Sequence, residues 1–260
     1  MKTQEQYIRA DGHRINTLRI GDIKPDKPTL VFIHGGLDCI DMWRQFPMQL
    51  CETTGLSGIV YERWGHGKSD KLVLPRKLDT RSIEADRPLH DLFEYFAVDK
   101  VILVGHSAGG AVALLASGVH PGKVCGTIAI APQLIAQDNT REGLTKAIAA
   151  YENGKLRDKL MKFHGDNTDI LFHDWTSSVL KRGEIAIDYS PQLRKITCPV
   201  LGIYGTADNY GYLHNLNLTR KCLSSPLEVL EILDSTHYPH LDTPEPVLEA
   251  AGRFIGNLVF

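Results

Sequence analysis

The chain has 260 residues, of which 43% are hydrophobic and 23% charged, and its formal net charge is -2. A length and mixture of this kind suit a globular chain folded as one unit around a large core. The near-balanced charge supplies no general attraction for phosphate backbones, so composition argues against a nucleic-acid partner.

In chain order, the opening stretch Arg14-Ile15-Asn16-Thr17-Leu18-Arg19-Ile20 alternates polar and apolar residues behind an Asp11-Gly12 turn signal, which predicts an antiparallel hairpin at a sheet edge. Short apolar runs rich in β-branched residues then recur at Thr29–Ile33, Gly58–Tyr61, Val101–Val104, Val124–Ile130 and Pro199–Tyr204, with Leu227–Leu233 as a further candidate. Runs without alternation read as strands buried on both faces. Helix-length segments lie between them at Met42–Leu50, in a stretch ending at Phe96, and at Ala108–Val119, Asn215–Cys222 and Pro244–Leu258. Strand and helix in alternation predict βαβ units: an α/β fold with a mostly parallel sheet flanked by helices. From about 133 to 193 the chain is more polar and helical in pattern, with Gly154, Gly165 and Gly183 as expected breaks. It reads as a small helical cap inserted into one domain, whose core is 1–132 and 194–260.

The segment Val101-Ile-Leu-Val-Gly105-His106-Ser107-Ala108-Gly109-Gly110 is an apolar strand that runs straight into a small-residue helix start. A sharp strand-to-helix turn there would expose Ser107 on strained backbone, with Gly105, Ala108 and Gly109 leaving room around it. The helix N-terminus would aim N–H groups and positive dipole at negative charge developing beside the serine. That is the setting of an activated nucleophile.

Taken with His34-Gly35-Gly36 after a strand, Arg63-Trp64-Gly65-His66-Gly67-Lys68-Ser69, Gly205-Thr-Ala-Asp208 and His237-Tyr-Pro239, this segment resembles the α/β-hydrolase superfamily along nearly the whole chain, most of all small capped serine esterases and related lyase-like or peptidase members. The resemblance implies an order of nucleophile, acid and base: Ser107, Asp208 on the turn after a late strand, and His237 two residues before Pro239. His240 is the fallback base, otherwise expected as a loop histidine in solvent. An oxyanion site is implied at the N–H groups of Ala108 and Gly36, although the Gly-Gly pair also reads as an ordinary tight turn. His34 is expected to hold that loop by hydrogen bonding and His106 to pack beside the nucleophile. Glu62 stands where many relatives carry aspartate, a departure that bears on loop detail. Trp43, Trp175 and Tyr210 are expected as walls of a substrate-binding pocket.

These residues suffice for hydrolysis of a small-molecule carboxylic ester through an acyl-enzyme, and equally for a lactone, thioester, amide or carbon–carbon bond. A receptor that keeps the fold with little turnover is the alternative from another class. No metal site is expected, because His164, His173 and His214 are isolated and no His-Glu-x-x-His spacing occurs. No cofactor is expected either, since the glycines fit no phosphate-binding fingerprint. Cys39, Cys51, Cys125, Cys198 and Cys222 are odd in number and scattered, as reduced cysteines of a cytoplasmic protein would be. Neither a signal core nor a run of about 18 apolar residues occurs, so secretion and a membrane span are not expected. The sequence leaves the oligomeric state open.

Overall fold

The computed structural model of the chain describes residues 1–135, 138–184 and 187–259. Strands β1 (Thr3–Ala10) and β2 (His13–Ile20) pair antiparallel with Ala10 opposite His13. Asp11 and Gly12 turn the hairpin at φ of 48° and 80°, the positive angles that match a two-residue turn to the strands' twist.

Six further strands follow: β3 (Thr29–Ile33), β4 (Gly58–Tyr61), β5 (Val101–His106), β6 (Val124–Ile130), β7 (Val200–Gly205) and β8 (Leu227–Ile232). With the hairpin they form one eight-stranded sheet in the order β1-β2-β4-β3-β5-β6-β7-β8, parallel from β4 to β8. Side chains alternate across a strand. Val31, Ile33, Val101 and Leu103 therefore enter one apolar cluster while Leu30, Phe32, Ile102 and Val104 enter the other.

Each cluster is closed by helices. On the first face lie α2 (Thr80–Ala85), α3 (Arg87–Tyr95) and α4 (Ala108–Val119), which contribute Ala85, Leu89, Phe93 and Leu114. On the second lie α1 (Phe46–Thr54) and α11 (Pro244–Gly256), with Leu50, Val247 and Phe254. At about 1.5–3 kcal/mol for each large apolar side chain removed from water, these two layers dominate the energy that fixes the sheet edges where the loops converge.

Some boundaries differ from expectation for local reasons. The expected helix Met42–Leu50 divides into a 3₁₀ turn at Ile40–Trp43 and α1, because Pro47 fits only the first turn of a helix and sets the start there. The stretch ending at Phe96 breaks at Asp86, just before Pro88 opens α3. Between β6 and β7 run α5 (Asp138–Glu152), α6 (Lys155–His164), α7 (Thr168–Glu184) and α8 (Ser190–Leu193). Gly154 and Gly165 end helices with φ of 87° and 53°, whereas α7 runs through Gly183. The span expected as a cap includes 136–137 and 185–186, which lie outside the described residues. Tyr151, Leu160 and Phe172 form a third, small apolar cluster joined by Leu37 and Trp175, so this helical segment rests on the loop after β3. After β7 and β8 come α9 (Leu213–Cys222) and a short α10 (Pro239–Asp242) that the sequence did not suggest. Among the described residues no helix is long and apolar enough to cross a membrane.

Candidate active site

Ser107 stands between β5 and α4 with φ 54° and ψ -117°, a conformation that costs a non-glycine residue on the order of 1–3 kcal/mol. The surroundings impose it. Ser107 N–H donates to the Ile130 carbonyl (2.9 Å), and its own carbonyl accepts from Gln133 (3.0 Å) and from Ala111 in the first turn of α4 (3.1 Å). Close approach makes the two flanking glycines obligatory: a Cβ on Gly105 would run into the Gly109 carbonyl, and one on Gly109 into the Ile33 carbonyl.

Asp208 sits on the turn after β7 and His237 on the loop after β8, and adjacent parallel strands bring both to the same sheet edge. His237 Nδ1–H donates to Asp208 Oδ2 at 2.7 Å, and the Ser107 hydroxyl donates to His237 Nε2 at 2.8 Å. The carboxylate fixes the tautomer, leaving the Nε2 lone pair for the serine proton. Tyr210 N–H holds the other carboxylate oxygen at 2.8 Å, and Asp208 and His237 are both buried. His240 is not a loop histidine in solvent. It is 3% exposed, packed between Trp43 (ring centroids 4.9 Å apart) and His106 (4.8 Å).

The loop after β3 is braced by side chains on three successive carbonyls. Gly35 C=O accepts from Arg63 Nη2 (2.6 Å) and His34 Nδ1 (2.8 Å), His66 Nε2 lies 3.0 Å from Gly36 C=O, and His164 Nε2–H donates to Leu37 C=O (3.0 Å). In a trans peptide the N–H of the next residue points opposite to the carbonyl. With Gly35 C=O pulled toward Arg63, the Gly36 N–H faces away from that carbonyl, and Gly36 lines a cavity with Ser107, Ala108 and His237. Neither the Gly36 nor the Ala108 N–H donates to a backbone carbonyl of the described residues. His34 also accepts the Arg63 N–H at 3.0 Å, and burial keeps both His34 and His66 well below their ordinary pKa. Glu62 gathers Lys68 N–H (2.6 Å), Asn16 Nδ2 (3.1 Å) and Ile40 N–H (3.3 Å), so the longer carboxylate anchors three segments.

Asp38 and His106 form a second buried carboxylate–imidazole pair. His106 Nδ1 donates to Asp38 Oδ2 at 3.1 Å and Nε2 to the His237 carbonyl at 2.9 Å. Both partners are acceptors. Gly35 N–H donates to the same Asp38 oxygen at 3.1 Å, so one pair ties the loop after β3 to the loop carrying His237. Burial alone would raise the Asp38 pKa, but the His106 hydrogen bond and charge hold it well below the carboxylate range. The sequence offered no signal for this role beyond His106 preceding Ser107.

The cavity at the serine has a volume of about 180 Å³. Leu144, Leu160, Trp175 and Val179 line it from the helices between β6 and β7, and Tyr210 lies 4.8 Å from the His237 ring, centroid to centroid. Trp43 corrects an expectation: it lines no part of this cavity, but is 3% exposed in the second apolar cluster against Phe32 and Phe46. Its 3₁₀ turn presents it to the sheet.

Residues 30–250 match the model of a family described as the alpha/beta hydrolase family. Among proteins of known sequence the chain is similar to epoxide hydrolase 1 of Caenorhabditis elegans, 32% identical over 110 residues that make up 42% of this chain but only 25% of that protein. It is also similar to a 2-hydroxy-6-oxononadienedioate/2-hydroxy-6-oxononatrienedioate hydrolase of Dechloromonas aromatica, 24% identical over 220 residues, 74% of this chain and 75% of the relative. The solved 2-hydroxy-6-oxo-6-phenylhexa-2,4-dienoate hydrolase of a Rhodococcus species superposes with a TM-score of 0.78 at 17% identity, covering 97% of this chain and 99% of the other. A family match across both halves of the sheet, together with a parallel core that carries a strained serine at the β5–α4 turn, means that the chain belongs to the alpha/beta hydrolase family.

Proposed function

We propose that the protein is a serine hydrolase that cleaves a small carboxylic ester or a related acyl bond, with Ser107 as nucleophile, His237 as base and Asp208 as the acid that orients it. The observation that carries this reading is the chain of two short hydrogen bonds, 2.8 Å from Ser107 Oγ to His237 Nε2 and 2.7 Å from His237 Nδ1 to Asp208 Oδ2, on a residue held out into a cavity by strained backbone. Ser107 Oγ attacks the acyl carbon while His237 Nε2 takes its proton. The carbonyl oxygen gains the negative charge and is met by the N–H groups of Gly36 and Ala108. His237⁺, stabilised by Asp208, returns the proton to the departing alcohol oxygen as the carbon–oxygen bond breaks. Water then attacks the acyl-serine by the same exchange, releasing the acid and restoring Ser107. No step calls for a metal or organic cofactor.

Residues 133–193 act in this reading as a cap over a single-domain core, with Trp175 and Tyr210 as pocket walls. A cavity of about 180 Å³ is smaller than the roughly 300–1,000 Å³ typical of drug-sized ligands, which favours a short acyl group. The five unpaired, mostly buried cysteines agree with a cytoplasmic setting.

The test is covalent labelling beside turnover. A fluorophosphonate probe should modify Ser107 stoichiometrically, Ser107→Ala should abolish the labelling, and 4-nitrophenyl acetate should be turned over steadily. Labelling without turnover would favour a receptor, and a wild-type protein inert to the probe at neutral pH would remove the mechanism.

A further inference from the structure

One cation in the cavity is left without work by the proposed mechanism. Arg81, on the two-turn helix α2, lines the same cavity as Ser107 and His237 yet is only 7% exposed. Burial pulls its pKa below the ordinary value, and a buried guanidinium normally sits against a carboxylate. None fills that place among the residues whose side chains are described: no carboxylate there lies within ion-pair distance of Arg81. Its Nε is buried with no hydrogen-bond partner. Among the described residues the Tyr189 hydroxyl meets its guanidinium and itself donates to Asp79 at 2.8 Å, so the Asp79 carboxylate acts on Arg81 from behind that hydroxyl and not as a direct ion pair. Lys159, exposed on α6, lines the cavity as a second cation with no ion-pair partner among the described residues. Among the described residues the only carboxylate lining the cavity, that of Asp38, is already engaged by His106 and Gly35.

Resting on the serine-hydrolase reading, we infer that the substrate is a short acyl ester whose acyl part ends in a second, anionic carboxylate, bound by Arg81 with Lys159 at the opening. The anion belongs on the acyl part because that part stays in the cavity as acyl-serine after the alcohol leaves, and Arg81 lies inside, not at the mouth. Arginine suits the task, since its planar fork accepts a carboxylate through two parallel N–H bonds. An uncharged isostere forfeits those bonds and leaves the cation unpaired.

The test compares two esters of equal length, the mono-4-nitrophenyl ester of glutaric acid and 4-nitrophenyl pentanoate, on wild type, Arg81→Met and Arg81→Lys, with folding checked by circular dichroism. Wild type should favour the glutarate ester by about tenfold or more in kcat/KM, mainly through KM. Arg81→Met should bring the ratio of the two values near one, and Arg81→Lys should restore part of it. Equal use of both esters by wild type, or a preference that survives in folded Arg81→Met, overturns the inference while leaving the Ser107 mechanism standing. If neither ester is hydrolysed and the fluorophosphonate fails to label, that mechanism falls instead, and binding decides this one. Free glutarate should alter the fluorescence of Trp175 in Ser107→Ala at concentrations where pentanoate does not, and a response equal for both acids counts against an anion site. Should Arg81→Met not fold, Lys159→Met lowers the same ratio if the inference holds and leaves it unmoved if it does not.

Discussion

Replacing His106 by leucine isolates what the second carboxylate–imidazole pair contributes. The change removes the donor to Asp38 and the donor to the His237 carbonyl while filling most of the volume. Asp38 keeps Gly35 N–H but loses its charged partner, and breaking one side of a buried ion pair costs about 3–5 kcal/mol. The His237 carbonyl is left buried without its donor, for about 1–3 kcal/mol more. A loss of about 4 kcal/mol or more is therefore expected, far into the tail for single substitutions. Asp38→Leu strands the imidazole in the same way, whereas the double variant removes both charges and should cost less than the two single changes added together, with a coupling of about 1.5–3 kcal/mol. The assay is urea unfolding followed by circular dichroism on the wild type and three variants, with 4-nitrophenyl acetate turnover measured beside it. Turnover should fall in His106→Leu through kcat, because the carbonyl it releases belongs to His237 itself. A single-variant cost below about 1 kcal/mol, or costs that simply add, would refute the reasoning.

Other outcomes follow from the same contacts. His237→Ala should lower kcat by about ten-thousandfold or more, while His240→Ala, which removes a ring packed on Trp43, should lose stability and retain most of its turnover; steady-state rates of the two folded variants decide between them. Asp208→Asn should keep the fold and lose rate, since an amide cannot hold His237 in the required tautomer, and a rate within threefold of wild type would exclude Asp208 from the role. Gly36→Ala should slow turnover or fail to fold, because the added Cβ meets the Trp175 indole; pairing it with Trp175→Ala should recover activity if the clash alone is responsible. Burial holds His34, His66, His164 and His240 below the ordinary 6.5, so the unfolded chain binds these protons first as pH falls. The contribution of these four should thus be level above about pH 7 and drop below pH 6.5 by up to about 1.4 kcal/mol per pH unit for each. Urea midpoints between pH 7.5 and 5.5 check the sign, and His240→Phe should make the slope shallower.

What was legible in the sequence is what covalent chemistry and strand burial dictate locally. β3 and β5 are buried at every position and apolar at nearly all, because helices cover both faces, and that pattern needs no partner to be read. The turn at Ser107 was readable because the residues around it are small, whereas Asp208 and His237 were singled out through the resemblance, each on the loop after a late strand. Trp43 and Trp175 show where such reading stops. Both are aromatic residues in helical stretches, and nothing in their neighbours says that one is turned into the core by a 3₁₀ turn and the other into the cavity. His240 looked like a solvent histidine for want of any local sign that Trp43, nearly two hundred positions earlier, would cover it. Asp38, Arg81 and Lys159 escaped for the same reason, and they share a property: each matters through what it meets across the fold. Asp38 finds its counter-charge in His106, so its burial explains itself. Arg81 is the contrasting case, a buried cation that reaches the Asp79 carboxylate only through the Tyr189 hydroxyl and has no direct ion pair among the described side chains, and the group that completes it is then to be sought in the substrate.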